Sequence, residues 1–400
     1  IKLINLLTPN RKNYDSDIFS DDKELEFDQY PPIPSSIMDS NSIFWNYFYE
    51  HRTKITKIIE NHNLTFFNDD CENDQDNSTI SLKLFDEYPQ LFPFSFRYNL
   101  FYNKIRKDND CNESFHLLID RNNVLESSFD QLKTESLQNW KKNFQIEYIG
   151  ENGSDYGGLR RDWFTELSRA LFNVDLGIFS LTEKMTYQPS ITSYVNSHHL
   201  ELFKFAGAFI AKAIIQQEHI DAELTQAFLK NILGYPVKSD SIKEIDESVY
   251  NSLNFIINND LNEYEGLEIY FCVDHDNFGH HETFEFIENG SQIRVTNENK
   301  HDYFNHMTNY HSSNSIECQT LHFCQGFDFL IPFKYLGIFS TNEFGLLISG
   351  KSKIDVDEIR RNAIYGESYS YDSPAVVLFF NSIAKWNQSD LAGLLMFITG

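Results

Sequence analysis

From Phe115 onward the apolar residues fall into regular periods. Residues 115–119 form a short apolar run and read as a strand. Val124, Leu125, Phe129 and Leu132 share one helical face over residues 123–132, and residues 144–149 read as a second strand ending in a Gly-containing turn. Leu159, Trp163, Phe164, Leu167 and Leu171 then recur at helical spacing. Residues 200–215 are apolar nearly all round, which predicts a buried central helix. Residues 221–233 read as a helix stopped by Gly234, and residues 248–257 as another. Residues 267–273 and 283–287 read as strands around a turn at 276–279, and Asn289-Gly290 signals a second hairpin leading into 292–295. Helices dominate from Asn297 to the end. The pattern predicts a mainly α (α+β) fold with a small antiparallel sheet.

The first 110 residues are less regular. Residues 15–28 are acidic and poor in large apolar groups, residues 30–34 are a stiff Pro-rich strip, and residues 68–79 are a polar Asn/Asp-rich loop. Residues 44–59 read as an aromatic-rich helix, and residues 91–105 are apolar enough to dock on a larger body. The chain opens on Ile1 and stops at Gly400 directly after an apolar helical run, so a window of a longer protein is expected. No apolar run approaches the ~18–20 residues of a membrane span, and no secretory signal opens the chain.

Charge narrows the partners. Acidic residues outnumber basic ones 59 to 33, for a formal net charge of -26. Such a surface repels phosphate backbones and anionic membranes, so neither nucleic acid nor membrane is the expected partner. The five cysteines, Cys71, Cys111, Cys272, Cys318 and Cys324, form no CxxC pair and no disulfide framework. They fit a reducing compartment, cytoplasmic or nuclear.

Four segments have candidate chemistry. Residues 345–352 match the GxxxxGK[ST] phosphate-loop string. However, Ser340 and Glu343 make a capping box, which starts a helix near Thr341, places Gly345 inside it and leaves Gly350 as its C-cap. Residues 274–281 gather three His and two Asp without a standard metal spacing, and a hairpin with polar strand ends explains them as well. Cys318 and Cys324 lie near His322, but Ile316, Thr320, Phe323, Cys324 and Phe327 are spaced as one helix face, so both cysteines read as buried apolar groups. Residues 150–164 read as a strand end, a Gly-permitted turn at Gly157-Gly158 and an amphipathic helix. No metal and no organic cofactor is expected.

That last segment, Tyr156-Gly-Gly-Leu-Arg-Arg-Asp-Trp-Phe164, resembles the opening block of the HECT family of ubiquitin-protein ligases. Further blocks resemble the family in the same order: residues 123–132, Phe205–Ile214, the string Val295-Thr-Asn-Glu-Asn-Lys300, residues 343–350, and Leu394-Leu-Met-Phe-Ile-Thr-Gly400. The resemblance implies a bilobal fold. Residues 1–110 would be an N-terminal extension, partly disordered with docked helices. Residues 111–366 would be the large helical lobe with small antiparallel hairpins, including a conjugating-enzyme-binding subdomain at about 235–310. Residues 367–400 would be the start of the C-terminal lobe.

The resemblance also implies a reaction. Ubiquitin passes from a ubiquitin-conjugating enzyme to a ligase cysteine as a thioester, then to lysines of protein substrates. The family cysteine follows the Phe-Val-Thr-Gly block, so it is expected beyond Gly400, and the chain alone is expected to be inactive. By the same resemblance Val249, Leu253, Ile256, Tyr303 and Met307 would line the conjugating-enzyme groove, with plain core packing as the competing reading. Leu253→Ala or Tyr303→Ala would then weaken partner binding and leave the fold intact. Tyr365, Gly366, Glu367 and Ser368 would form the hinge between lobes. The alternative is a non-catalytic binding module that keeps only the recruiting lobe.

Overall fold

The computed structural model describes residues 89, 94–109, 113–151, 157–264, 266–277, 280–350, 355–366 and 369–399; side chains of residues 275–282 lie outside that description. So do the segments read above at 15–34, 44–59 and 68–79, together with Cys71 and Cys111. The chain divides into two compact units, residues 1–348 and residues 349–400.

The larger unit is helical, with three two-stranded sheets among the described residues. Helix α1 (Phe94–Asp108) buries Phe101, Tyr102 and Ile105 in the main core. Its Arg97 is itself buried, and its guanidinium donates to the carbonyl of Ile338 and to the Glu343 carboxylate, both at 2.6 Å. Strand β1 (Ser114–Ile119) pairs with β2 (Asn143–Tyr148) in parallel, from Ser114 opposite Asn143 to Ile119 opposite Tyr148. The sequence pattern predicts both strands and leaves their pairing open; the small antiparallel sheet it predicts lies further along the chain, at residues 272–285. Helices α2 (Val124–Leu132) and α3 (Leu137–Lys141) lie between the strands, and a crossover of that length returns the chain in the same direction.

Helix α4 (Gly158–Leu171) follows Gly157, whose φ of 104° is closed to residues with a Cβ without strain. It buries Trp163, whose indole N–H donates to Ser128 Oγ at 2.9 Å. The antiparallel pair β3 (Phe179–Leu181) and β4 (Tyr187–Pro189) leads to α5 (His199–Gln216), buried along most of its length. Even Lys212 of α5 is buried. Its ammonium donates to the carbonyls of Trp140 and Lys142, both at 2.7 Å, so a cation closes the C-terminal end of α3.

Helix α6 (Gln226–Leu233) begins five residues later than its apolar pattern predicts. The Thr225 hydroxyl accepts from Phe228 N at 3.2 Å and caps it there, while Leu224 bridges to Tyr187 beside β4. The chain then leaves the main body for a small subdomain made of α7 (Ile242–Ile245), α8 (Glu247–Asn258), the antiparallel pair β5 (Cys272–Asn277) and β6 (His280–Glu285), and α9 (Lys300–Ser312). Residues 267–271 precede β5 without joining it, and residues 292–295 supply only a bridge at Arg294 to Tyr270.

Helix α10 (Glu317–Asp328) returns to the main body and crosses α5 where Gly207 faces Gly326. Helix α11 (Thr341–Ser349) closes the unit. The capping box forms as the sequence predicts: Ser340 N donates to Glu343 at 2.9 Å and Glu343 N donates to Ser340 Oγ at 3.3 Å. Gly345 lies inside the helix, and Gly350 follows it with φ 70°. The phosphate-loop string is therefore mostly helix.

The second unit contains α12 (Val356–Asn362), α13 (Pro374–Ile383) and α14 (Gln388–Thr399) around Phe380, Ile383 and Leu391. Pro374 opens α13 at N1, but Ser373 makes no side-chain cap and instead accepts from Ser370 N at 2.8 Å.

Candidate functional site

The small subdomain has an apolar core of its own, separate from the main one. Val249, Leu253 and Ile256 project from α8, which starts at Asp246 because its carboxylate accepts from Val249 N at 2.9 Å. Tyr303 and Met307 project from α9. The structure brings all five into one cluster with Ile242, Phe271 and Val295. Leu253, Ile256, Tyr303 and Met307 are buried, at 2%, 6%, 6% and 9% exposure, and Val249 is half-buried. Tyr303 packs edge-on against Phe271 at 5.6 Å, and burial pushes its phenol up to about 12.

This burial changes the expected effect of substitution. Truncating Leu253 or Tyr303 to Ala removes core and is expected to cost about 2–5 kcal/mol, so any loss of partner binding in those variants would come with a loss of stability. The apolar surface that α8 offers to solvent lies elsewhere. Phe255 is 42% exposed, and Tyr264 packs edge-on against it at 5.0 Å and is 37% exposed. The helical pattern of α8 does not single out Phe255, because an apolar residue off the buried face reads simply as noise in the period.

The Val295–Lys300 string acts as a clasp inside this subdomain. Asn297 accepts from Leu261 N at 3.1 Å and its amide also donates to Asp260. Asn299 accepts from Thr296 N at 2.7 Å and donates to Arg294 O at 3.0 Å. Lys300 donates to Asn259 O at 2.7 Å. The side chains of Asn297, Asn299 and Lys300 satisfy loop backbone or the Asp260 cap, so the string ties the α8 exit to the α9 entry. The opening block is equally architectural: Asp162 pairs with Arg121 at 2.7 Å, and the Arg121 guanidinium lies 3.8 Å from the centre of the Tyr148 ring.

Neither Cys272 nor Cys324 has an activating environment. Burial, with Asp328 nearby, pushes the Cys324 thiol up to about 12. Burial raises Cys272 too, with Asp274 and Glu285 adding in the same direction. Cys318 is exposed on α10, contrary to its reading as a buried apolar group; of the pair, only Cys324 turns inward. The side chains of the His/Asp segment at 275–281 lie outside the described residues, and Asp274 accepts from Thr283 Oγ1 at 2.6 Å.

In the second unit, Tyr365 donates to Arg360 O at 2.9 Å and Gly366 O accepts from Tyr369 N at 2.9 Å. Glu367 and Ser368 lie outside the described residues.

The family model described as HECT-domain (ubiquitin-transferase) matches residues 165–400, more than half of the chain. The chain belongs to the HECT-domain family. It is 34% identical over 315 residues to the probable E3 ubiquitin-protein ligase TOM1 of Eremothecium gossypii, covering 78% of this chain and 10% of that protein. It is 34% identical over 330 residues to the E3 ubiquitin-protein ligase UPL1 of Arabidopsis thaliana, covering 80% of this chain and 9% of that one. Against the E3 ubiquitin-protein ligase RSP5 of Emericella nidulans the identity is 34% over 288 residues, covering 71% and 35%. The chain thus spans about a tenth of the length of the first two relatives. No helix among the described residues is long and apolar enough to cross a membrane.

Proposed function

We propose that this chain is the conjugating-enzyme-recruiting part of a HECT-type ubiquitin-protein ligase. In the full protein a ligase thiolate attacks the ubiquitin thioester carbonyl and the conjugating enzyme's thiolate leaves. A substrate lysine amine then attacks the new thioester, and the ligase thiolate leaves as the isopeptide forms. The partners are the ubiquitin-conjugating enzyme, ubiquitin and protein substrates, in a reducing compartment such as the cytoplasm. The observation that carries this reading is the family match together with a small subdomain that has a core of its own and presents α8 outward.

In this reading residues 1–110 are an N-terminal extension, 111–366 the large lobe with its recruiting subdomain at about 235–310, and 367–400 the start of the second lobe. Residues 365–368 are the hinge. The groove for the conjugating enzyme is built on Val249, Leu253, Ile256, Tyr303 and Met307 as a floor, with Phe255 and Tyr264 at its surface. The transfer cysteine is none of the five present. A thiol held at about 12 is almost wholly protonated at neutral pH and is a poor nucleophile.

Two measurements test this. Calorimetry with a panel of conjugating enzymes is expected to find a partner whose affinity drops on Phe255→Ala while the melting temperature holds; unchanged affinity throughout counts against the site. Incubation with ubiquitin-charged conjugating enzyme is expected to leave the chain unmodified, and a reducible ubiquitin adduct on any of its cysteines would sink the assignment of the cysteine to another segment.

A further inference from the structure

The main body and the small subdomain do not share a buried apolar core. Two bodies joined without a large apolar interface are expected to move against each other. Polar contacts at both ends of α6 oppose that motion. At the N-terminal end, Glu244 of α7 reaches out of the small subdomain and accepts from Gln226 N at 3.1 Å, through one carboxylate oxygen. Its other oxygen accepts from Thr186 Oγ1 at 3.1 Å. The Thr186 proton is thereby committed, so in the 2.8 Å contact with Thr182 the Thr182 hydroxyl is the donor. The result is a directed chain, Thr182 to Thr186 to Glu244, whose bonds reinforce one another. The carboxylate also sits at the positive end of a helix, where the charges of Lys184 and Glu223 act on it in opposite directions.

At the other end of α6, Asn231 holds the segment that returns from the small subdomain. Its amide donates to Ser312 O at 2.6 Å and its carbonyl accepts from Ser313 Oγ at 2.8 Å. Gln226 and Asn231 are five residues apart, about 7.5 Å along a helix. Attachments separated by that lever resist rocking, where one alone would act as a pivot. The one-turn α7 is suited to the task because its two sides serve different bodies: Ile242 is buried in the small core while Glu244 faces the main body.

We propose that α6 is a two-ended seat for the small subdomain, with Glu244 and Asn231 as positioning residues that set where the α8 face stands relative to the main body. The test measures that placement directly and needs no partner. Spin labels on non-natural residues at Asn251 of α8 and Glu201 of α5, both exposed, report the distance between the bodies in the full chain by double electron–electron resonance. Glu244→Ala is expected to broaden the distance distribution and to remove the hydrogen-exchange protection of Gln226 N. Asn231→Ala is expected to broaden it too, and Glu244→Gln, which keeps one acceptor, to broaden it less than Glu244→Ala. A distribution unchanged in Glu244→Ala overturns the proposal. Should that variant fail to fold, Thr186→Val, which deletes one donor and leaves the carboxylate, is read the same way.

Discussion

The crossing of α5 and α10 permits a prediction whose size follows from the geometry. A Cβ built on Gly326 would lie 1.8 Å from the Lys204 carbonyl oxygen, and one built on Gly207 would lie 1.9 Å from that of Phe323. Both obstacles are helix backbone, so no side chain can rotate away. Bringing the Gly326 contact to even 3.0 Å requires a displacement of at least 1.2 Å, the difference between 3.0 and 1.8. Parting the helices by that much loosens Phe323, which packs on Phe228 at 5.1 Å, and Phe327, which packs on Phe344 at 5.8 Å. A gap near an ångström forfeits about a quarter to a half of each contact's dispersion energy. Overpacking costs about 1–3 kcal/mol in general, and a backbone clash belongs at the top of that range. The higher helix propensity of Ala offsets about 1 kcal/mol. Gly326→Ala is therefore expected to lose about 2 kcal/mol or more, which in a unit of this size is about 3 °C in melting temperature. Thermal melts beside two internal controls check it. A Cβ at Gly337 meets nothing within 4 Å, and one at Gly345 meets only the end of Leu229 at 3.3 Å, so both Ala variants should melt close to the parent. A Gly326→Ala protein that melts with Gly337→Ala would refute the reasoning.

Two further outcomes follow from buried charge and buried thiol. Arg97→Ala removes the partner of Glu343 and should cost about 3–5 kcal/mol by urea unfolding, whereas Arg97→Met with Glu343→Gln, which keeps the cap, should recover part of the loss. Among the described cysteines, thiol labelling at pH 8 should modify exposed Cys318 first. Cys324, raised from 9.0 to about 12, carries about a thousandfold less thiolate than in the unfolded chain, and its rate should climb about tenfold per pH unit. The sign for stability follows: the folded state holds this proton more tightly, so its contribution is intact below pH 9.0 and is lost as pH rises towards about 12.

Much of the fold was legible where one physical rule dominated. The all-apolar stretch ending at Ile215 is a buried helix, and the Ser340–Glu343 box starts α11 where the spacing predicts. Legibility failed where long-range pairing decided. Nothing local states that residues 114–119 and 143–148 run parallel, because strand direction is set by the helices between them. Residues 221–225 have helical apolar spacing, but the Tyr187 backbone takes up the amide of Thr225 at 3.0 Å and delays α6. At the candidate site, helical periodicity brought Val249, Leu253 and Ile256 to one face, but spacing alone does not separate a groove from a core. Glu244 and Asn231 gave no signal, since an acidic residue on a one-turn helix and an Asn on an amphipathic one are ordinary surface residues until their partners are in place.

The Arg97–Glu343 pair has a consequence for how this chain is made. Its two members are 246 residues apart in sequence. On a ribosome adding about 5–20 residues per second, α1 emerges roughly 12–50 s before the glutamate that neutralises it. Through that interval Arg97 waits for the Glu343 carboxylate, and Phe101 for the Phe339 ring on which it packs at 5.1 Å. Newborn α1 is thus a segment whose last polar and aromatic partners arrive only with the end of the unit. Its docking is completed by the synthesis of α11, at the far end of the same unit.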